Sequence, residues 1–266
     1  MAKEKKGKII TITSMKGGVG KSSIAILLSA VYKELKKKVL ILDLDLYSGS
    51  ISFLLNAIVK NSVYNICDDM NNNRYKGINS GEYLCHYDEY VDIISSPKDP
   101  RQAGKVDRKC LEVLLNSLGN YYDVVLIDTN HVLDVYSMLA FNASDAILNI
   151  FTNDAIDLKG TKNFVSICKN MDVNNLFLVL NEAQDDRKKY FSNYDIKNIV
   201  KHNIDYIIPS AFYTKNFDMY AMESTLFKNY AKMKQTSKKN YLIVEKLALK
   251  LLEDCEKEAG ELDEEK

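Results

Sequence analysis

Seven consecutive residues, Lys16-Gly17-Gly18-Val19-Gly20-Lys21-Ser22, gather three glycines, two ammonium groups and a hydroxyl. Glycines let a backbone fold so that successive N–H groups converge on phosphate oxygens. A helix opening at Ser22 and Ser23 adds the positive end of its dipole. Lys21 then stands where it reaches the β- and γ-phosphates of a nucleotide, and the Ser22 hydroxyl where it binds Mg2+. The segment departs from the common Gly-x-x-x-x-Gly-Lys-[Ser/Thr] form. Counted back from Gly20, Met15 occupies the place of the first glycine, and an extra lysine, Lys16, precedes the glycines. A chance Gly-rich turn is the competing explanation; the strand and helix patterns on either side speak against it.

Three carboxylates suit such a loop. Asp43 and Asp45 alternate with leucines in Leu42-Asp43-Leu44-Asp45-Leu46, at the carboxyl end of a strand-like run. In a parallel α/β sheet that edge faces the ligand. Residues two apart on an extended chain point the same way, so these charges repel unless Mg2+ or a lysine lies between them. Asp128 closes Val124-Val125-Leu126-Ile127-Asp128, an apolar run ending in an acid that can hold Mg2+ directly or through water. Leu178-Val179-Leu180-Asn181 ends in an amide whose donor and acceptor suit the adenine edge. A guanine site wants Asn-Lys-x-Asp, and Asn181-Glu182-Ala183-Gln184 lacks that acid. A solvated acidic pair and an ordinary turn stay open as plainer readings of these strand ends.

The elements that must position these groups are legible as alternation. Lys8 to Ser14 reads as a strand, and Ile24, Leu27, Leu28, Val31 and Leu35 mark one apolar helix face. Lys38 to Asp43 is a second strand, completing a βαβ unit with an expected right-handed crossover. Strands are predicted at 91–95, 123–128, 145–152, 176–181 and 204–208, and helices at 105–118, 158–171, 194–201 and 237–257. Several strands are apolar on both faces. The predicted fold is α/β: a single doubly wound, mostly parallel sheet with helices on both faces. Residues 71–90, rich in Asn, Gly, Ser and Tyr, read as an inserted loop with weak structure. The expected organisation is one ATPase-type domain over 1–252 and a tail over 253–266 with eight acids and two lysines.

The Lys-Gly-Gly-Val-Gly-Lys-Ser segment resembles the deviant Walker A motif of the ParA/MinD ATPases, and the resemblance covers roughly residues 8–230. It implies ATP and Mg2+ as cofactors. It implies phosphate binding by Gly17, Gly18, Val19, Gly20, Lys21, Ser22 and Ser23, and adenine contacts from Asn181 and the loop Pro209-Ser210-Ala211-Phe212. It assigns catalytic roles to Lys16, Lys21 and Asp45, and a metal shell to Ser22, Asp43 and Asp128. In that family the lysine matching Lys16 reaches across an ATP-sandwiched homodimer to the partner's phosphates, and the acid matching Asp45 orients the attacking water.

Within the family, Asp43 to Ser50 is similar to the pilus-assembly branch (TadZ/CpaE), as are Ser95 to Pro100 and Thr129 to Asp145. Partition ATPases usually have Pro-Gln after the second acid, where this chain has Leu46-Tyr47. Thr129-Asn130-His131 departs from the family, many members of which carry prolines in this γ-phosphate-sensing segment. His131 is a candidate for phosphate or partner contact, with an ordinary loop histidine as the plainer reading. An iron–sulfur reductase of the superfamily needs a Cys soon after Asp128, and the next is Cys168. The tyrosine kinases of the group carry a C-terminal tyrosine cluster, and no tyrosine follows Tyr241.

Composition bounds the rest. The 266 residues hold 36 basic and 36 acidic side chains, which excludes a strongly basic nucleic-acid binder by total charge. No apolar run is long enough for a transmembrane helix, and the Lys-rich start lacks the apolar stretch of a signal peptide. Five dispersed cysteines without a C-x-x-C read as reduced thiols; Cys85-His86 lacks distal partners for a metal. Lys228, Lys232, Lys234, Lys238, Lys239, Lys246 and Lys250 face only Glu245 over that stretch. Weak DNA-backbone binding or a solvated helix face both fit. The acidic C-terminus disfavours a membrane-targeting helix.

The leading expectation is a cytoplasmic, slowly hydrolysing Mg-ATP switch. It dimerises on ATP, binds a protein partner, is recruited through that partner to a pole or other membrane-associated site, and positions a pilus or secretion apparatus. The alternatives are a plasmid or chromosome partitioning ATPase and an ATP-binding scaffold with little hydrolysis. A small-molecule kinase is disfavoured, because no acceptor pocket is evident.

Overall fold

The computed structural model describes residues 6–182, 190–214, 218 and 224–253. In chain order its elements are β1 (Lys8–Thr13), α1 (Lys21–Glu34), β2 (Val39–Leu44), α2 (Ile51–Leu54), α3 (Val63–Asn71), β3 (Cys85–His86), β4 (Val91–Ile94), α4 (Pro100–Ala103), α5 (Arg108–Leu118), β5 (Val124–Thr129), α6 (Val135–Ala143), β6 (Ala146–Phe151), α7 (Ala155–Asn170), β7 (Leu176–Asn181), α8 (Asn193–Val200), β8 (Tyr206–Ile208), α9 (Thr225–Thr236) and α10 (Lys238–Lys250). Eight strands form one sheet in the order β3-β4-β2-β5-β1-β6-β7-β8. All neighbours are parallel except the edge pair β3 and β4. The doubly wound α/β architecture is therefore the predicted one, with an antiparallel edge added.

The central strands are hydrophobic on both faces because both faces are covered. All six residues of β2, of β5 and of β6 are buried. On one face Ile10, Ile12, Ile41 and Leu126 pack with α1, α9 and α10; on the other Leu40, Leu42, Val125 and Ile127 pack with α3, α5 and α6. Such two-sided burial is what an uninterrupted Val/Ile/Leu run implies. The C-terminal helices are pinned to α1: Tyr32 donates to the Ala248 carbonyl at 2.9 Å, and Glu34 accepts from Tyr241 at 2.6 Å and Lys234 at 2.7 Å.

Several boundaries differ from expectation. The segment 71–90 is structured: Ile78 and Tyr83 are buried, Tyr83 donates to Asp69, and Cys85–His86 pairs with β4. A two-residue strand with a non-local partner leaves no periodicity to read. The helix predicted over 105–118 begins at Arg108, because the Asp107 carboxylate accepts the Cys110 N–H at 3.0 Å and caps it there. Of the helix predicted over 237–257, Lys238–Lys250 is observed; residues 254–257 and nearly all of the predicted tail lie outside the described residues. The described cysteines 67, 85, 110 and 168 are free thiols, and Cys255 lies outside the described residues. His86 is bonded to Asp92 at 2.5 Å. No helix among the described residues is long and apolar enough to cross a membrane.

Candidate nucleotide site

The loop joining β1 to α1 lies at the carboxyl edge of the sheet, beside the ends of β2 and β5. Gly18 and Gly20 hold φ values of 73° and 101°, a region that penalises a β-carbon. Gly20 immediately precedes α1, so the helix's first N–H groups face the loop. Two side chains fix the loop from outside it. Ser14 donates to the Lys16 carbonyl at 2.8 Å, and Asn181 donates from Nδ2 to the Val19 carbonyl at 2.8 Å. Val19 itself is buried. Met15, standing where the common loop has glycine, lies against Gly160 of α7: a β-carbon at Gly160 would come within 2.8 Å of the Met15 Cβ.

Gly17, Gly18, Gly20, Lys21, Ser22 and Ser23 line one cavity together with Asp45, Ser48 and Ser50. Asn130, His131 and Val132 close its far side. A second, more apolar cavity adjoins it at Gly20 and Ser23 and is lined by Ile24, Leu27, Asn181, Ile208, Phe212 and Tyr230 among others. Pro209 does not line it directly. It opens the short turn Ser210–Phe212 that carries Phe212 to the cavity.

The carboxylates converge as the strand ends predict. Asp43 and Asp128 are register partners on adjacent strands, and both are buried. The Ser22 hydroxyl donates to Asp128 Oδ2 at 2.5 Å, and the Ser50 hydroxyl donates to Ser22 Oγ at 3.0 Å. Asp128 Oδ1 is buried without a partner among the described residues. Burial pushes the Asp128 carboxyl up to about 7, although the Ser22 hydrogen bond and the Lys21 ammonium pull the other way. Burial, then the neighbouring Asp128 and Asp45, also hold Asp43 well above the usual carboxylate range. Two facing buried acids that resist ionisation, with one oxygen unpaired, are a donor set that suits a hard divalent cation.

Asp43 has a second task that its spacing does not reveal. Its oxygens accept the N–H groups of Asp45 and Ile51 at 3.2 Å each and the Ser96 hydroxyl at 3.4 Å. It thus organises the whole turn 45–51. A β-carbon at Gly49 would lie 1.8 Å from Ser96 Oγ and 2.6 Å from Asp43 Oδ2, so the turn closes only on glycine. Asp45 is half-buried at the cavity wall and accepts the Ser48 N–H at 3.2 Å.

The Lys16 side chain is turned away from the cavity. Its ammonium lies 3.1 Å from Asp154 Oδ1, with the two side chains 40% and 36% exposed. Asp154 caps α7 by accepting from Ile156 and Asp157, and Lys16, followed by these donors, lowers its pKa. Asp154, Ser50 and Asn130 were not singled out from the sequence. Only Asp154 left a signal there, as a capping acid before a helical run.

A model of the AAA domain family AAA_31 matches residues 7–182. The chain belongs to this ParA/MinD-type family. It is 23% identical over 208 residues to the Emiliania huxleyi septum site-determining protein MinD, covering 77% of this chain and 75% of that protein. The fold is that of a ParA family ATPase from Chlorobium tepidum, with a TM-score of 0.74 at 20% identity over 92% of this chain and 98% of that one. It is equally that of the Pyrococcus horikoshii MinD complexed with Mg-ADP, with a TM-score of 0.70 at 23% identity over 92% and 96%.

Proposed function

We propose that this chain is a Mg2+-dependent ATPase that works as a dimeric positional switch. The observation that carries the reading is the buried Asp128, with one oxygen unpaired among the described residues and the other bound by Ser22, which together with Lys21 lines the glycine-walled cavity. The Mg-ADP bound by the Pyrococcus relative supports the same cofactor here. Bound Mg2+ would offset phosphate charge and polarise the terminal phosphoryl group. Ser22 and Asp128 would hold it, with Asp43 behind them.

The chain's own groups then divide the work. The N–H groups from Gly17 to Ser23 hold the phosphates, and Lys21 offsets charge on the transferred group. Asp45 at the cavity wall accepts a proton from the attacking water, whose oxygen bonds to phosphorus as the bond to the ADP oxygen breaks. Asn181 and the loop after Pro209 border the apolar cavity that takes adenine. Lys16 leaves Asp154 and serves the partner's nucleotide in the closed dimer. Residues 1–252 form the ATPase unit, with the acidic stretch 253–266 outside it.

Similarity of residues 43–50, 95–100 and 129–145 to the TadZ/CpaE branch supports positioning of a pilus or secretion apparatus as the output, through a protein partner that recruits the switch from the cytoplasm. Partition is the second output to test. The lysines of α9 and α10 favour it, though Lys234 and Lys250 are paired with Glu34 and Glu253. An ATP-binding scaffold with little turnover is favoured by the tightly bonded loop 129–134. Calorimetry with Mg-ATP, followed by phosphate release with and without DNA, lipid or pilus components, separates these. Absence of any heat of binding with nucleotide and metal overturns the reading.

A further inference from the structure

The loop between β5 and α6 holds one side chain that the switch described so far does not use. Both neighbours of that residue, His131, are locked. Asn130 accepts the Val132 N–H at 2.8 Å and donates to Asp134 at 3.0 Å. The Val132 carbonyl accepts the Asp134 N–H at 2.9 Å and the Ser137 hydroxyl at 2.9 Å. Asp134 caps α6 by accepting the Ser137 N–H at 2.8 Å, and Thr129 donates to the Ile12 carbonyl of β1 at 3.0 Å. His131 is left at the tip, exposed, and among the described residues its imidazole has no hydrogen bond or ion pair.

The ring lies over the phosphate loop: its Nδ1 and Cε1 stand 3.6 and 3.7 Å from where a Gly17 β-carbon would be. It shares the cavity with Lys21, Ser22 and Asp45. The apolar cavity adjoins the loop at Gly20 and Ser23, the opposite end. A nucleotide with its base there would run its phosphates from Gly20 toward Gly17, which would bring the last of three nearest the imidazole. The other cation near that end, Lys16, is turned to Asp154.

We infer that the His131 imidazole is a ligand of the terminal phosphate, through which this chain tells a nucleoside triphosphate from a diphosphate. The inference rests on the nucleotide reading above. An imidazole N–H on a locked loop is a preorganised donor, and it meets charge that only the triphosphate brings.

Calorimetry on the full chain with Mg2+ and either AMPPNP or ADP tests it. His131→Ala is expected to weaken AMPPNP about tenfold, the size of one hydrogen bond to a charged group, and to leave ADP affinity unchanged. His131→Gln, which keeps an N–H donor, is expected to recover most of the loss. Equal weakening of both nucleotides, or of neither, overturns the inference while leaving the nucleotide reading intact. A parent chain that binds neither nucleotide overturns both. The chain has 3 histidines, so the imidazole signals are separable by NMR. The His131 signal should move with Mg-AMPPNP and stay with Mg-ADP, and a signal indifferent to the third phosphate also overturns the assignment.

Discussion

Asp45 and Asp128 differ in surroundings more than in chemistry, and that sets their separate fates. Asp45 is half-buried on the cavity wall with one weak backbone donor. On the proposed reading, Asp45→Ala should leave Mg-ATP binding by calorimetry near that of the parent and slow phosphate release at least about 100-fold, the usual scale for losing a general base. Equal hydrolysis by the variant removes Asp45 from the mechanism. Asp128 is raised to about 7 by burial. A raised carboxyl binds a proton more tightly in the folded state than in the unfolded chain. Its contribution to stability is full below the ordinary carboxylate range and is lost as pH climbs toward about 7. Asp43, raised in the same direction, adds to this loss. The metal-free protein should melt lower at pH 8 than at pH 5.5, and Mg2+ should raise the melting temperature more at pH 8. A metal effect equal at both pH values, read by calorimetric melting, counts against Asp128 as a ligand.

At the scale of elements, the turn between β2 and α2 is built around one acid and one glycine. Gly49→Ala forces a β-carbon into Ser96 and Asp43. The expected cost is about 1–3 kcal/mol in denaturant unfolding, as for overpacking elsewhere, with impaired hydrolysis because Asp45 rides on the same turn. Native stability and activity in that variant would contradict the described closure. The central strands were legible because burial on both faces writes an uninterrupted apolar run, as in Val124 to Ile127. The carboxylates at their ends were legible because a strand's exit edge is fixed by its direction. The pairing of Lys16 with Asp154, the grip of Asn181 on Val19 and the three donors on Asp43 were not. Each joins side chains that only the folded sheet brings together, and no local spacing encodes them. Helices α2, α3, α4, α6 and α9 go beyond the helices predicted from the sequence: α2 and α4 are four residues long, and α6 is apolar around most of its circumference, so these three show no clear stripe.

At the scale of the whole molecule, α1 spans the distance between the nucleotide site and the C-terminal helices. Its first turn faces the phosphate loop, and near its last turn Tyr32 and Glu34 hold α10. Tyr32→Phe leaves the buried Ala248 carbonyl without its donor, which should cost about 1–3 kcal/mol. Melting should detect this while Mg-ATP affinity by calorimetry is unchanged, because the lesion lies at the far end of the helix. On the proposed reading Lys16→Ala abolishes ATP-dependent dimerisation. Sedimentation profiles with Mg-ATP that match those of the parent would remove the trans role.

The bridge between Lys16 and Asp154 also fixes how the loop of the proposed switch responds to its medium. Both partners stand partly in water, where such a bond holds by about 0–1 kcal/mol and fades as ions crowd round it. It is a light detent rather than a lock: ordinary thermal agitation releases the lysine. Raising the ionic strength loosens the resting posture before it disturbs anything in the interior.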